Sequence, residues 1–265
     1  MTKPKSKSLP AELSTLLHDI QADLPSLLKG NLVGIYLHGS ATQKSFNPKR
    51  SDVDVIVVTH RNLSDAQFRR VDAWLAEASC ANPWTRRLQM PFLIRGEVLK
   101  MNSRACLYQF GDFHRTGSDG NPIIWMDVMK NGIVLYGPRA DSFVPPIGHQ
   151  ILWSALKREV HYLREEFCEK PDSPWRDVRS YRSYAVLTLC RILYSSRHGT
   201  IVSKPGAGAW AIKRLPKGWE KMIRQALEID EGRSRRSISR TFIVQFIEFV
   251  ERQIAATEAA DRSDD

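Results

Sequence analysis

Long apolar runs are missing from this 265-residue sequence, and no stretch approaches the roughly 20 residues that a membrane-spanning helix needs. The opening MTKPKSKSLPAEL is basic but lacks the apolar segment of a secretory signal peptide. We therefore expect no membrane partner and a cytoplasmic location. Cysteines are few and lack metal-ligand spacing, which fits a reducing compartment; they are Cys80, Cys106, Cys168 and Cys190.

An excess of acidic charge is also missing, because 39 basic and 29 acidic side chains give a net charge of +10. A basic protein can bind nucleic acid, but here the excess is spread along the chain. Only residues 232–236 (GRSRR) form a compact basic cluster, which we interpret as a solvated connection between helices. We predict no nucleic-acid partner. The same charge would repel a polycationic ligand at long range.

The composition is typical of a soluble globular protein, with 42% hydrophobic and 26% charged residues. The chain is long enough for two domains that each bury a core. Glycine and proline, which break helices and strands, are concentrated in residues 137–146, and we interpret this segment as the linker between the domains. We therefore predict domains over residues 1–145 and 146–265.

The first domain alternates helical and strand patterns. A helix is expected over residues 10–29, and a second begins at Ser64, where Ser64 and Gln67 have the spacing of a capping box. Alternation of strands and helices predicts a small mixed sheet with helices on one face. Pro91 indicates an edge position or a bulge for its strand. The predicted strands are 32–37, 55–58, 87–94, 105–113 and 128–136.

After the linker the pattern is helical throughout, so we predict an all-helical bundle for the second domain. The predicted helices are 150–169, 180–198, 206–214, 217–231 and 239–256.

Residues 37–58 (LHGSATQKSFNPKRSDVDVIVV) carry the most informative pattern in the chain. Side chains alternate along a strand, so Asp52 and Asp54 are expected to point to the same side. Two adjacent carboxylates repel each other unless a cation lies between them, and hard oxygen ligands suit Mg²⁺. Gly39 allows a close backbone approach to a phosphate, and the Ser40 hydroxyl can bind its oxygens. The pattern therefore indicates a metal platform for a nucleotide.

The Gly39-Ser40 pair is followed, after residues 41–50, by Ser-Asp-x-Asp and an apolar strand. This pattern resembles the signature of the nucleotidyltransferase superfamily related to DNA polymerase β. Three segments of the second domain resemble the C-terminal domain of the aminoglycoside (3'')(9)-adenylyltransferases, which modify streptomycin and spectinomycin. They are YAVLTLCR at 184–191, GTIVSK at 199–204 and WAIKRLP at 210–216. The resemblance implies a fold of class α/β + α. A small mixed-sheet, polymerase β-like nucleotidyltransferase domain would be followed by the helical bundle.

This resemblance implies transfer of AMP from ATP to a hydroxyl of an aminoglycoside or aminocyclitol antibiotic, which confers resistance. The implied cofactors are ATP and Mg²⁺, and we expect a monomer with a small-molecule substrate. Asp52 and Asp54 would hold Mg²⁺ and act as catalytic residues. The phosphates would be bound by the turn around Gly39, by the hydroxyls of Ser40 and Ser51, and by the cationic side chains of Arg191 and Lys204. In the family, the arginine at the position of Arg191 lines the cleft between the domains.

The resemblance also places a catalytic glutamate, the general base, where this chain has Gln89. A neutral amide cannot take a proton, so base catalysis worth roughly 10²–10⁴-fold would be absent there. Three explanations stand: an engineered substitution, replacement by another carboxylate (Asp112 or Glu97), or a natural variant with weak or different activity. The alternative functions are a catalytically weak or inactive homologue that binds nucleotide and ligand, and an enzyme that nucleotidylates RNA or protein.

Four residues are expected to contact the acceptor substrate. Asp112 and Phe113 lie where the family commonly has Gly-Glu-Trp, so they could pair with the cations of an aminocyclitol and pack on its ring. Trp175 and Asp177 lie where members that accept streptomycin carry Trp and Asp. An equally good interpretation is a Trp packed at a helix start and an Asp that caps the helix.

Overall fold

A computed structural model describes residues 9–43, 45–101, 103–118, 120–170 and 172–261. The chain divides between Pro146 and Ile147 into two compact units. We describe each unit by itself.

The first unit is built on a six-stranded mixed sheet with the strand order β5-β4-β3-β2-β1-β6. Strands β2 and β3 are parallel, and the other neighbouring strands are antiparallel. The elements are α1 (Ala11–Leu28), β1 (Leu32–His38), β2 (Val53–Thr59), α2 (Asp65–Ala81), β3 (Leu88–Ile94), β4 (Ala105–Gln109), β5 (Asp112–Ser118), α3 (Pro122–Asn131) and β6 (Ile133–Tyr136).

Side chains alternate along each strand, so the sheet has two faces. One face is closed and the other is more open. Alternate residues such as Leu37 and Val55 join α1 and α2 in one core cluster. On the other face, Tyr36 makes an edge contact with Trp125 of α3, with ring centroids 5.9 Å apart. The prediction of helices on one face is therefore wrong, since α3 covers part of the second face.

The predicted strand over residues 105–113 is instead a hairpin of β4 and β5. Phe110 and Gly111 form its turn with φ values of 55° and 93°, a combination that matches a tight hairpin turn. The predicted strand over 128–136 is also wrong at its start, because residues 128–131 belong to α3. Asn121 caps that helix by accepting a hydrogen bond from the Ile123 amide at 3.0 Å, and the following Pro122 suits the first helical position.

Pro91 does not mark an edge, because β3 lies between β2 and β4. The pairing of β3 with β2 joins Gln89 to Asp54 and resumes where Phe92 meets Val57. Pro91, which has no N–H donor, therefore lies between these two paired positions. An interior strand can accept a proline there.

The second unit is a bundle of five α-helices within the described residues. Helix α5 is central and packs against the other four. They are α4 (His149–Arg164), α5 (Arg179–His198), α6 (Lys204–Arg214), α7 (Glu220–Asp230) and α8 (Arg240–Asp261). Fully buried apolar side chains from several helices, such as Leu187, Ile223 and Phe246, fill the core. In the described part of the chain, no helix combines the length and apolar character that crossing a membrane would require.

Candidate functional site

Strand β1 ends in one 3₁₀ turn, Gly39–Thr42. Gly39 has a φ of 68°, a left-handed conformation that glycine adopts without steric cost. A Cβ atom at this position would lie 2.2 Å from Oδ2 of Asp54. The turn is closed by the Thr42 hydroxyl, which donates to the Gly39 carbonyl at 3.0 Å. Glycine at position 39 thus provides the space that the Asp54 carboxylate occupies.

Asp54 lies near the start of β2, on the open face of the sheet. It is paired in register with His38 on β1 and with Gln89 on β3. Residues paired in register project from the same face of a sheet, about 4.8 Å apart. Val53 is fully buried in the core, which leaves Asp54 and the exposed Asp52 on the opposite side. Asp52 itself immediately precedes β2.

Within the described residues, no three His, Cys, Asp or Glu side chains gather closely enough to hold a metal ion. A metal ion held by Asp52 and Asp54 would thus take only two carboxylate ligands from the described residues. This donor set fits Mg²⁺, which keeps several waters and takes further ligands from phosphates.

Arg87 fixes the loop from which Asp52 emerges, although sequence reasoning did not identify this residue. Its guanidinium donates to the carbonyl of Pro48 at 2.7 Å and to the carbonyl of Ser51. Burial lowers the pKa of Arg87, and the nearby Asp52 carboxylate opposes that shift. The Ser51 hydroxyl accepts from the Asn47 amide at 3.0 Å, so its own proton remains available for a phosphate oxygen. The signal that could have identified Arg87 is its place directly before β3.

Asp127 of α3 is a second residue that the sequence did not reveal. Its carboxylate is only 4% exposed and accepts hydrogen bonds from the Gly39 amide (2.9 Å), Gln43 Nε2 (2.9 Å) and Asn131 Nδ2 (2.8 Å). Nδ1 of His38 lies 3.7 Å from the same carboxylate. Burial raises the pKa of Asp127, but the hydrogen bonds from His38, Asn131 and Gly39 outweigh burial, and the net shift is downward. Asp127 is therefore ionised at neutral pH.

A row of polar side chains crosses the open face. Met90 pairs with Tyr108 across β3 and β4, and continuing this antiparallel register by one residue places Gln109 opposite Gln89. Gln109 in turn pairs with Asp112 of β5. At about 4.8 Å per strand, Asp112 lies about 14 Å from Asp54 along this row.

Phe113 does not join that row. Its ring stacks on Phe68 at a centroid distance of 4.4 Å and contacts Phe92 at 5.2 Å. Both contacts are on the core face, because Phe113 alternates with Asp112 along β5. Phe113 therefore lies on the opposite side of β5 from Asp112, and its packing on an aminocyclitol stays a prediction. The exposed aromatic residue beside Asp112 is Phe110, at 63% exposure.

Neither carboxylate suggested as a replacement base lies beside Gln89. Glu97 follows the opposite end of β3, at least five residues or about 16 Å along the strand, and its carboxylate pairs with Lys100 at 3.4 Å. Asp112 is two strands away, which corresponds to about 10 Å.

In the second unit, α5 presents Tyr181, Tyr184 and Arg191 at the spacing of one helical face. The ring centroids of Tyr181 and Tyr184 are 5.5 Å apart, and those of Trp175 and Tyr181 are 6.2 Å apart. Nζ of Lys204 lies 4.9 Å from the centroid of the Tyr184 ring. Burial raises the pKa of Tyr184 to about 12, so its hydroxyl stays protonated. Two predicted residues, Trp175 and Lys204, thus lie against this pair of tyrosines, and Arg191 lies two helical turns further along α5 and donates to the Val202 carbonyl.

Asp177 has a different environment. Its carboxylate accepts a hydrogen bond from Arg182 at 2.5 Å. Arg182 also donates to the carbonyls of Arg176 and Ile238, so the ion pair is fixed to the backbone on both sides. The negative charge of Asp177 is thus paired with the Arg182 guanidinium, and its contact with the acceptor stays a prediction.

Comparisons with known proteins show which proteins this chain resembles. Residues 142–253 match the family model of the aminoglycoside adenylyltransferase C-terminal domain. An aminoglycoside (3'') (9) adenylyltransferase of Shigella flexneri is 26% identical over 261 residues, which cover 92% of this chain and 95% of the relative. A spectinomycin 9-adenylyltransferase of Campylobacter jejuni is 25% identical, with coverage of 77% and 80%. The crystal structure of spectinomycin adenyltransferase AAD(9) from Enterococcus faecialis, with ATP and spectinomycin, superposes with a TM-score of 0.67 at 17% identity and covers 91% of this chain and 99% of that chain.

Proposed function

We propose, from the relationship of this chain to the aminoglycoside (3'')(9) adenylyltransferases, that it transfers AMP from ATP to a hydroxyl of an aminoglycoside or aminocyclitol antibiotic and thereby confers resistance. The observation that carries the proposal is the open face of the sheet. There the Gly39 turn leaves room for the Asp54 carboxylate, and Asp54 is in register with Gln89.

On the nucleotide side, Asp52 and Asp54 would hold Mg²⁺, which supplies charge neutralisation at the phosphates and at the departing pyrophosphate. Ser40 and Ser51 would donate their hydroxyl protons to phosphate oxygens. In the second unit, we assign Lys204 and Arg191 to the triphosphate, because a point-charge ammonium and a planar guanidinium both suit phosphate.

On the acceptor side, the amide oxygen of Gln89 would accept a hydrogen bond from the hydroxyl that is modified. Asp112 lies further along the same row and would pair with an ammonium group of the aminocyclitol. The exposed indole of Trp175 would pack on the sugar or cyclitol ring.

A second candidate function follows from Gln89. Neither suggested replacement base is its neighbour, since Glu97 is at the far end of β3 and Asp112 is two strands away. This geometry favours an enzyme with weak turnover, or a homologue that binds ATP and an aminocyclitol without transfer.

The two candidates separate in one experiment on the full chain. Pyrophosphate release is measured with ATP, Mg²⁺ and either streptomycin or spectinomycin, and calorimetry measures the binding of each ligand. Release that requires the acceptor and is lost in Asp54→Asn supports transfer. Binding of both ligands without release supports the second candidate. Release without an aminocyclitol, accompanied by labelling of RNA or protein, would refute both, as would the absence of any binding.

A further inference from the structure

Asp127 is a buried carboxylate that no step of the proposed reaction uses. It lies on α3, whereas the motif that binds the nucleotide in our proposal lies between β1 and β2. Its hydrogen bonds nevertheless run to that motif.

The carboxylate connects both ends of the Gly39–Thr42 turn to α3. Oδ2 accepts from the amide of Gly39, the first residue of the turn. Oδ1 accepts from the side chain of Gln43, which directly follows the turn. Asn131, one helical turn further along α3, also donates to Oδ1 but does not contact the turn through this bond.

Only an ionised carboxylate can accept all of these hydrogen bonds. Besides His38, three N–H donors converge on it, and a carboxylate offers two acceptor oxygens where an amide offers one acceptor and one donor. An asparagine would direct its NH₂ group at a donor on one side, and a buried donor left without an acceptor is costly. The Gly39 amide is also committed to Asp127, so it contributes conformation and space to the site instead of a phosphate contact.

We propose that Asp127 is a positioning residue for nucleotide binding. It holds the turn so that Ser40 faces the phosphates and Gly39 leaves space for the Asp54 carboxylate. This inference rests on the proposed function, because it concerns the residues assigned to the nucleotide.

The test is Asp127→Asn in the full chain, with the Kd for ATP with Mg²⁺ measured by calorimetry and both KM values measured where turnover occurs. Residues that orient a ligand-binding group typically contribute about 10–100-fold, so we expect the Kd and KM for ATP to rise by that factor. The KM for the aminocyclitol should stay within about twofold, because none of the residues assigned to the acceptor belongs to the Gly39–Thr42 turn. A purely structural role would lower the Tm and the active fraction but leave the Kd for ATP unchanged.

Asn131→Ala is the matched control. It removes a donor to the same carboxylate from within α3 and leaves the two bonds to the turn. We expect a lower Tm and a Kd for ATP within about twofold of that of the unaltered protein. An equal loss of ATP affinity in Asn131→Ala and Asp127→Asn would overturn the positioning role.

If Asp127→Asn does not fold, Gln43→Ala is tested in its place. This change removes one of the two hydrogen bonds between Asp127 and the turn, and Gln43 is a half-buried loop residue. ATP affinity should then fall several-fold. Unchanged affinity in either folded variant overturns the inference while the unaltered protein still binds ATP. An unaltered protein that binds neither ATP nor an aminocyclitol refutes the proposed function and this inference with it.

Discussion

At the scale of single residues, Gly39 has two reasons to lack a side chain. Its φ of 68° is in the left-handed region, which costs other residues about 1–2 kcal/mol. A methyl group would also collide with the Asp54 carboxylate. We expect Gly39→Ala to lower the free energy of unfolding by about 1–3 kcal/mol and to abolish ATP binding, as measured by denaturation and calorimetry.

Gly96→Ala is the control for that change, because nothing lies within 4 Å of a Cβ at position 96. It should leave ATP affinity unaltered. Retention of ATP binding in Gly39→Ala would show that Asp54 can move aside, and would contradict the assignment of this carboxylate to the metal.

Gln89 is the residue whose chemistry limits the proposed reaction. Glutamate at this position would restore a proton acceptor on the strand next to Asp54, so we expect Gln89→Glu to raise kcat by roughly 10²–10⁴-fold. Steady-state kinetics with an aminocyclitol measure this change. Gln109→Glu places the same carboxylate one strand further away, and it should give no comparable increase. Equal rates in all three proteins would show that the modified hydroxyl does not approach Gln89.

At the scale of elements, the hairpin between β4 and β5 contains a strained residue. Phe110 has a φ of 55°, which is uncommon for a bulky residue, whereas asparagine adopts this conformation readily and Asn-Gly is a preferred hairpin turn. We expect Phe110→Asn to raise the free energy of unfolding by about 1 kcal/mol, measured by chemical denaturation. Tyr136→Asn, at another exposed aromatic residue, on β6 and without positive φ, should not stabilise the protein. A loss of stability in Phe110→Asn would show that the ring makes contacts worth more than the strain.

At the scale of the whole molecule, the net charge of +10 opposes the approach of a polycationic acceptor and favours that of ATP. Salt screens both effects, because the Debye length shrinks from about 30 Å at 0.01 M to about 10 Å at 0.1 M ionic strength. We expect the association rate constant of the acceptor to rise a few-fold over this range and that of ATP to fall. Stopped-flow binding measures both, with an aminocyclitol that carries fewer ammonium groups as the control. A fall in the acceptor's rate would show that the local carboxylates, including Asp112, dominate the field.

The sequence by itself determined the features whose signals are local. The capping box of Ser64 and Gln67 is confirmed, with both hydrogen bonds formed. The fold class, a mixed sheet followed by helices, is also confirmed, because alternation and helical spacing are visible within a few residues. The resemblance to the adenylyltransferases is confirmed for the same reason, since its motifs are contiguous.

Only the tertiary structure decided which distant residues share a face. The register of β2 against β3 places Gln89 beside Asp54, and the pleat of β5 sends Phe113 into the core. Asp127 reaches Gly39 from α3, a helix that the sequence analysis did not predict. Strand register and helix docking are set by long-range packing and pairing, and these depend on residues far apart in the chain. No local pattern in the sequence specifies them.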